Sequence, residues 1–542
     1  MVRHARGDRS LRPKRIPISD YFSSSQIVHK RVTPTRGGVV ASQHRRAAEA
    51  GAAVLEAGGD AIDAAVTTSF ALGVVEPWMS GVAAGGCMVL WRAKEQKAHV
   101  VDYGMRAPRA LDPADYPLAG EGKAMDLFAW PLVKDDRNMQ GATAVAVPGV
   151  VAGMALAHER FGRVPWRELV APAAALAAEG MRADWYSGLL IASAARGLAA
   201  DPDAAAMFLE DGRWPILGTW TALTERRLDQ RRLAATLEAI ARDGAKALYG
   251  GDIGAAMAKD VREKGGCLSL EDLSQYRAHF AEPLETTYRG GRVFAAPGMT
   301  GGPALAHALR ALAGVNKPSY ADYARALEAA WTQRLRQSGD REAPGAAPAC
   351  TTHFSVVDRH GNLCAVTQTL LSIFGSRVVS PSTGVLLNNG IMWFDPEPGK
   401  PNSLAPGKRC LGNYCPAIGE RAAIEGATAG ARFALGASGG RKIVGTVLQL
   451  ASFLIDHGMS LEGAFHHPRI DMSGTRPVIA DLAMPAEDLR KLEAAFPVRS
   501  ARRMCFPYAF AVPAGVLREG ELNMGCTEVM SPWGDAVAER TT

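Results

Sequence analysis

The chain has 542 residues, of which 47% are hydrophobic and 21% charged. Those proportions exclude a largely disordered protein, a collagen-like rod and a small disulfide scaffold, and the length suits about two to four domains or one large intertwined one. The formal net charge of +6 is local: nine Lys/Arg against Asp8 and Asp20 make residues 1–36 strongly basic, while the rest of the chain is close to neutral, so no nucleic-acid groove is predicted.

In chain order, the basic stretch comes first. It has no apolar core of the kind a secretory signal needs. No later run reaches about 18 uninterrupted apolar residues, so no membrane span is expected. We expect residues 1–36 to be a solvated, disordered tail and the protein to be cytoplasmic. The eight cysteines are scattered without a CxxC pair, which fits reduced thiols. Cys410 and Cys415 lack a second ligand pair for zinc, and His466-His467 lacks an acidic or His partner at motif spacing, so no metal site is expected.

Gly38-Val39-Val40-Ala41 is a short apolar run, with Ser42 placed to cap a helix whose apolar face is Ala47, Ala50, Val54 and Ala57. Gly58-Gly59 stops that helix, and Asp60 can cap the next, whose small residues suit close packing. Residues 150–340 carry repeated helical periodicity, broken at Gly180, Pro202, Gly250 and Gly265-Gly266. Residues 338–350 lose all period and are punctuated by Gly and Pro, which predicts an exposed loop. A β-hairpin then starts abruptly at Thr351: Thr351–Val357 alternates, 358–362 turns, and Leu363–Thr369 returns. Further on, Phe433-Ala434-Leu435 leads through Gly436–Gly440 into a helix carrying Ile443, Val447, Leu450 and Leu454.

A Thr heading a strand after a cleavable loop has a specific chemical use. If the Cys350–Thr351 bond is cut, Thr351 gains an α-amine with a reference pKa of about 7.7–8.0. Nucleophile and base then sit on one residue. The same hydroxyl can make the cut by attacking the carbonyl of Cys350. The backbone N–H groups of Gly439 and Gly440 can hold the oxyanion of a tetrahedral intermediate. His353 is expected to alternate away from Thr351 and to be structural.

These stretches resemble the γ-glutamyltranspeptidase family. The likeness runs from about residue 37 to 475 and rests on Gly37–Ser42, Ala57–Ala65, Val147–Gly149, Phe161–Trp166, Leu270–Leu273 with Tyr276, Thr351–Asp358, Gly384–Asn389 and Gly436–Gly440. It implies an α/β fold, the four-layer αββα sandwich of N-terminal-nucleophile hydrolases. It also implies self-cleavage before Thr351 into a large chain (37–350, after the tail) and a small chain (351–542), the two remaining interlocked, with higher oligomers open. It matches Thr369 to the Thr that hydrogen-bonds the nucleophile, and Gly439 and Gly440 to the oxyanion glycines. No metal or cofactor is implied.

The γ-glutamyl recognition positions depart from the family. Its carboxylate-binding Arg falls on Gly104, and its Ser-Ser pair on Gly412-Asn413. The Asn, Gln and Asp that contact the substrate α-amine fall on Leu371, Gly390 and Trp393. Arg106 and Arg377 remain as candidates to grip a carboxylate. The short 396–408 stretch leaves little room for a lid. The expected activity is therefore an N-terminal-threonine amidohydrolase/acyltransferase whose small-molecule amide substrate has a carboxylate-bearing acyl part. One alternative is a true γ-glutamyl hydrolase/transferase acting on glutathione-like amides; another is an unprocessed, non-catalytic relative.

Overall fold

The structure, a computed structural model, describes residues 28–123, 130–217, 225–338, 349–423, 430–473 and 476–540. Thirteen strands form its two large sheets: β1 Val39–Ser42, β2 Gly85–Arg92, β3 Lys97–Tyr103, β4 His279–Ala281, β5 Leu284–Tyr288, β6 Gly291–Ala295, β7 Ala349–Val357, β8 Leu363–Ser372, β9 Ala417–Arg421, β10 Ala431–Ser438, β11 Val512–Glu519, β12 Leu522–Thr527 and β13 Asp535–Ala538. One sheet runs β13-β1-β7-β8-β2-β3-β4 and the other β12-β11-β10-β9-β6-β5. Every neighbouring pair in both is antiparallel.

The sheets pack face to face through β7 and β8 against β10 and β11. Helices α1 Arg45–Glu56 and α2 Ala61–Val75 cover the outer face of the first sheet. Helices α3 Gly302–Leu312 and α5 Lys442–Ile455 cover the second, and α4 Tyr320–Ser338 packs on both of them. This is the expected αββα sandwich. Helix α2 is buried on nearly all sides; it is predominantly apolar, and its few polar side chains, such as Thr67, Thr68 and Ser69, are hydrogen-bonded. Asp60 caps it as expected, in a reciprocal capping box with Asp63.

Several expectations are corrected. Ser42 ends β1, and the cap of α1 is His44, whose ring accepts from Arg46 N. The 150–340 region is mainly helical, and Pro202 starts a helix rather than breaking one. That region also supplies β4, β5 and β6. The β5–β6 hairpin turns on Arg289-Gly290, both at positive φ, and so lacks the usual Asn-Gly or Asp-Gly signal. Residues 28–36 are not a free tail. Lys30 Nζ donates to Thr527 Oγ1 and Ser531 O, both at 3.0 Å, and Thr35 bridges Asn523. The central part of the expected loop, 339–348, lies outside the described residues, but Ala349 and Cys350 already belong to β7.

Seven cysteines are free thiols among the described side chains. No described helix is long and apolar enough to cross a membrane, and no described cluster of His, Cys, Asp or Glu could hold a metal ion.

Candidate active site

Thr351 sits where the β7–β8 ladder slips. Cys350 pairs with Leu371 and Thr352 with Gln368, so Thr369 and Leu370 together oppose Thr351. Such a bulge interrupts pairing and re-aims a side chain. Here it brings Thr351 Oγ1 to 3.4 Å from Thr369 Oγ1, with both residues buried. Thr369 Oγ1 also accepts from Leu371 N at 2.8 Å. Leu371 holds φ +91°, a strained value for a branched side chain, directly opposite the residue before the expected cut. The Asn389 side chain braces this end: its Oδ1 accepts from Ser372 N at 3.0 Å, and its Nδ2 donates to Ser372 Oγ at 2.8 Å.

His353 does not turn away from Thr351. Two residues along a strand share a face, so His353 points between the sheets with Thr351. Its ring bonds Thr367 Oγ1 at 2.8 Å and Ser355 Oγ at 3.0 Å. Across the gap it meets Gly436 of β10, where a Cβ would lie 2.3 Å from the ring. Burial lowers its pKa to about 3 and keeps it neutral. The structural role expected of it stands; the direction does not.

Three residues beyond Gly436, on the facing strand, the chain leaves β10 into the Gly439-Gly440 turn. Both glycines have positive φ, +130° and +61°. A Cβ on Gly439 would come within 2.9 Å of Ala511 Cα, so only glycine fits there. Gly439 O accepts from Lys442 N at 3.2 Å and so points into the first turn of α5. The trans peptide then aims the Gly440 N–H the opposite way, out of the helix. A donor so placed at a helix N-terminus suits a developing negative charge.

The expected substrate residues divide. Leu371, Gly390, Trp393 and Asn413 are all buried. A Cβ on Gly390 would meet Ala146 Cβ at 2.6 Å, so nothing replaces the lost Gln side chain. Trp393 packs edge-on to Tyr414, with ring centroids 5.2 Å apart. Asn413 Oδ1 accepts from Arg334 Nη2 at 3.2 Å, which turns its Nδ2 the other way.

Asn413 Nδ2, Trp393 Nε1 and Tyr414 Oη are buried and have no hydrogen-bond partner among the described residues. Arg334 is itself buried, with Nη2 also donating to Gly412 O at 2.5 Å and Nη1 to Thr300 O. No described carboxylate pairs with it. Burial, with Arg441 nearby, lowers its pKa to about 10. Both guanidinium groups stand over the Trp331 ring, Arg334 at 5.9 Å and Arg441 at 5.2 Å.

Arg106 reaches Gly407 O at 3.3 Å, beside Arg409, which pairs with Asp102 at 2.9 Å. Arg377 does not join the other site residues: its Nη1 donates to Gln140 Oε1 at 2.5 Å, and its stem lies against Gly197. Arg334, Arg441 and Tyr414 were not legible as site residues, because each sits in a segment whose pattern reads as ordinary helix or loop.

An αββα sandwich in which the strand of Thr351 packs across from the strand that ends at the Gly439-Gly440 turn is an architecture suited to an N-terminal-nucleophile amide hydrolase. The chain matches the family model described as "Gamma-glutamyltranspeptidase" over residues 47–350 and 343–495. It is 35% identical over 489 residues to an acylase ACY 1 proenzyme of Pseudomonas sp. (strain V22), covering 82% of this chain and 84% of that protein. It is 29% identical over 524 residues to the glutathione hydrolase proenzyme of Bacillus subtilis (strain 168), covering 86% and 85% respectively. A cephalosporin acylase from Bacillus halodurans shares the fold, with a TM-score of 0.79 at 24% identity over 98% of this chain and 99% of that one. The chain belongs to the γ-glutamyltranspeptidase family and is an amidohydrolase/acyltransferase of the N-terminal-nucleophile type.

Proposed function

We propose that the chain cuts itself before Thr351 and that the mature enzyme hydrolyses amides whose acyl part ends in a carboxylate and lacks a γ-glutamyl-type α-amine. Thr351 Oγ1 attacks the amide carbonyl. The Thr351 amine takes the hydroxyl proton and later delivers it to the leaving amine. Thr369 orients the hydroxyl, and Gly439 and Gly440 stabilise the oxyanion. Water, or an acceptor amine, releases the acyl group. The two pieces stay interlocked, because the β1–β7, β2–β8 and β6–β9 pairings all join residues on opposite sides of the cut. A small-molecule amide substrate fits the enzymes this chain resembles, and a cytoplasmic setting fits the free thiols.

The observation that carries the substrate reading is the set of buried donors without acceptors at Asn413, Trp393 and Tyr414, backed by the buried Arg334 cation. Each unmade donor costs about 1–3 kcal/mol, which a carboxylate ligand recovers. Leu371, Gly390 and Trp393 supply no side-chain acceptor for an ammonium group. The name of the 35%-identical relative, an acylase, supports the same reading. The alternative, a γ-glutamyl enzyme, is favoured by the glutathione hydrolase names among the relatives at 29%.

Glutaryl and γ-glutamyl anilides differ only by the α-amine and separate the two. We expect kcat/KM for the glutaryl compound to exceed that for the glutamyl compound by at least about 10²-fold. A preference for the glutamyl compound of that size establishes the alternative.

A further inference from the structure

Behind the nucleophile runs a chain of buried polar groups to which the mechanism above assigns no role. Thr352, the residue after Thr351, points to the opposite face of β7. Its Oγ1 lies 2.8 Å from Glu76 Oε2, at the C-terminal end of α2. The same Oγ1 lies 3.5 Å from Gln43 Oε1, just past β1, a separation at the long end of hydrogen-bond reach, and that oxygen also lies 3.0 Å from Ser438 Oγ. Gln43 Nε2 donates to Ser438 Oγ and to Val512 O, both at 2.8 Å. Ser438 is the residue before Gly439. All four side chains are at most 4% exposed. One connected path therefore joins the neighbour of the nucleophile to the neighbour of the oxyanion turn and bridges the two sheets.

The Thr352 hydroxyl has a single proton and two acceptors within reach. If Glu76 is neutral, its carboxyl O–H donates to Thr352 Oγ1, and Thr352 donates on to Gln43. If Glu76 is ionised, the carboxylate takes the Thr352 proton, and the link to Gln43 opens. We propose that Glu76, Thr352 and Gln43 are positioning residues that lock the strand of Thr351 to the Gly439-Gly440 turn, and that the lock is closed when Glu76 carries a proton. The assignment rests on Thr351 being the nucleophile, as proposed above.

The surroundings agree with a neutral Glu76. Burial, partly offset by the Thr352 hydrogen bond, raises its pKa to about 8. Tyr508 is the titratable neighbour that feels its charge; burial raises the Tyr508 pKa, so that group stays neutral too. Lys442 Nζ donates to Tyr508 O at 2.7 Å. His44, beside Gln43, is neutral because burial lowers its pKa to about 4.

The test uses the processed enzyme. In the wild type, kcat should fall above about pH 8, as Glu76 ionises, and in E76Q that descending limb should be absent, since the amide keeps the shape and cannot ionise. T352V cuts the path without changing side-chain size and should lower kcat by about 10²-fold, with KM within a few-fold. If T352V does not fold, E76Q alone decides. A descending limb retained in E76Q, or wild-type kcat in a folded T352V, overturns the proposal. An active T351A variant instead overturns the nucleophile reading on which it rests, whatever E76Q does.

Discussion

Alanine at position 351 is expected to leave the chain as one uncut polypeptide and to lower amidolysis by at least about 10⁴-fold, the scale on which loss of a nucleophile is felt. Thr351 is 3% exposed, and its hydroxyl meets Thr369 at 3.4 Å. Alanine removes only the hydroxyl and a methyl group, so the sandwich should survive, and a thermal melt close to that of the wild type checks this. T351S restores a hydroxyl at the same point and should again be cut. The contrast matters because a structural threonine predicts the reverse: serine and alanine would then behave alike. A denaturing gel and an anilide assay on the three proteins read both steps.

The second large effect is expected at the glycine turn. G439A places a Cβ 2.9 Å from Ala511 Cα on a backbone at φ +130°. The turn must move, and the Gly440 N–H moves with it. Loss of one oxyanion donor costs about 10²–10³ in rate, so kcat of processed G439A should fall by that factor while KM changes little. G463A provides the control. Gly463 lies in the helix Leu461–His466, and a Cβ there meets no atom closer than Ser460 Oγ at 3.2 Å. Wild-type kcat in G439A would remove the turn from the mechanism.

Much of this was legible in the chain itself, for physical reasons that differ by element. The Thr351–Val357 alternation and the 358–362 turn are local signals, and β7 and β8 form where they indicate. Asp60 caps its helix because a short side-chain acceptor before an apolar run has one favourable place to go. The bulge at Thr351 was not legible. It arises from a mismatch between two strands, and single-strand periodicity carries no information about pairing register. Extension of β7 back to Ala349 was missed for the same reason: its partners, Leu371 and Ser372, lie on the other arm of the hairpin.

The direction of His353 was legible and misread, since an interval of two residues preserves a strand face. Of the substrate candidates, Trp393 and Asn413 lie together near Tyr414 and Arg334, and Arg377 does not join them. An arginine contributes a long stem whose end no sequence pattern locates. Glu76 left only one trace, an acid directly after the apolar last turn of a buried helix. Its partner is Thr352, 276 positions further along the chain.

The central claim is that Thr351 becomes a chain end. The most direct measurement is N-terminal sequencing of the smaller fragment that appears when purified protein is incubated. The fragment should begin Thr-Thr-His-Phe, and its appearance should parallel the rise in amidolysis. A fragment beginning at any other residue, or full activity in a chain that remains a single band, would contradict the account.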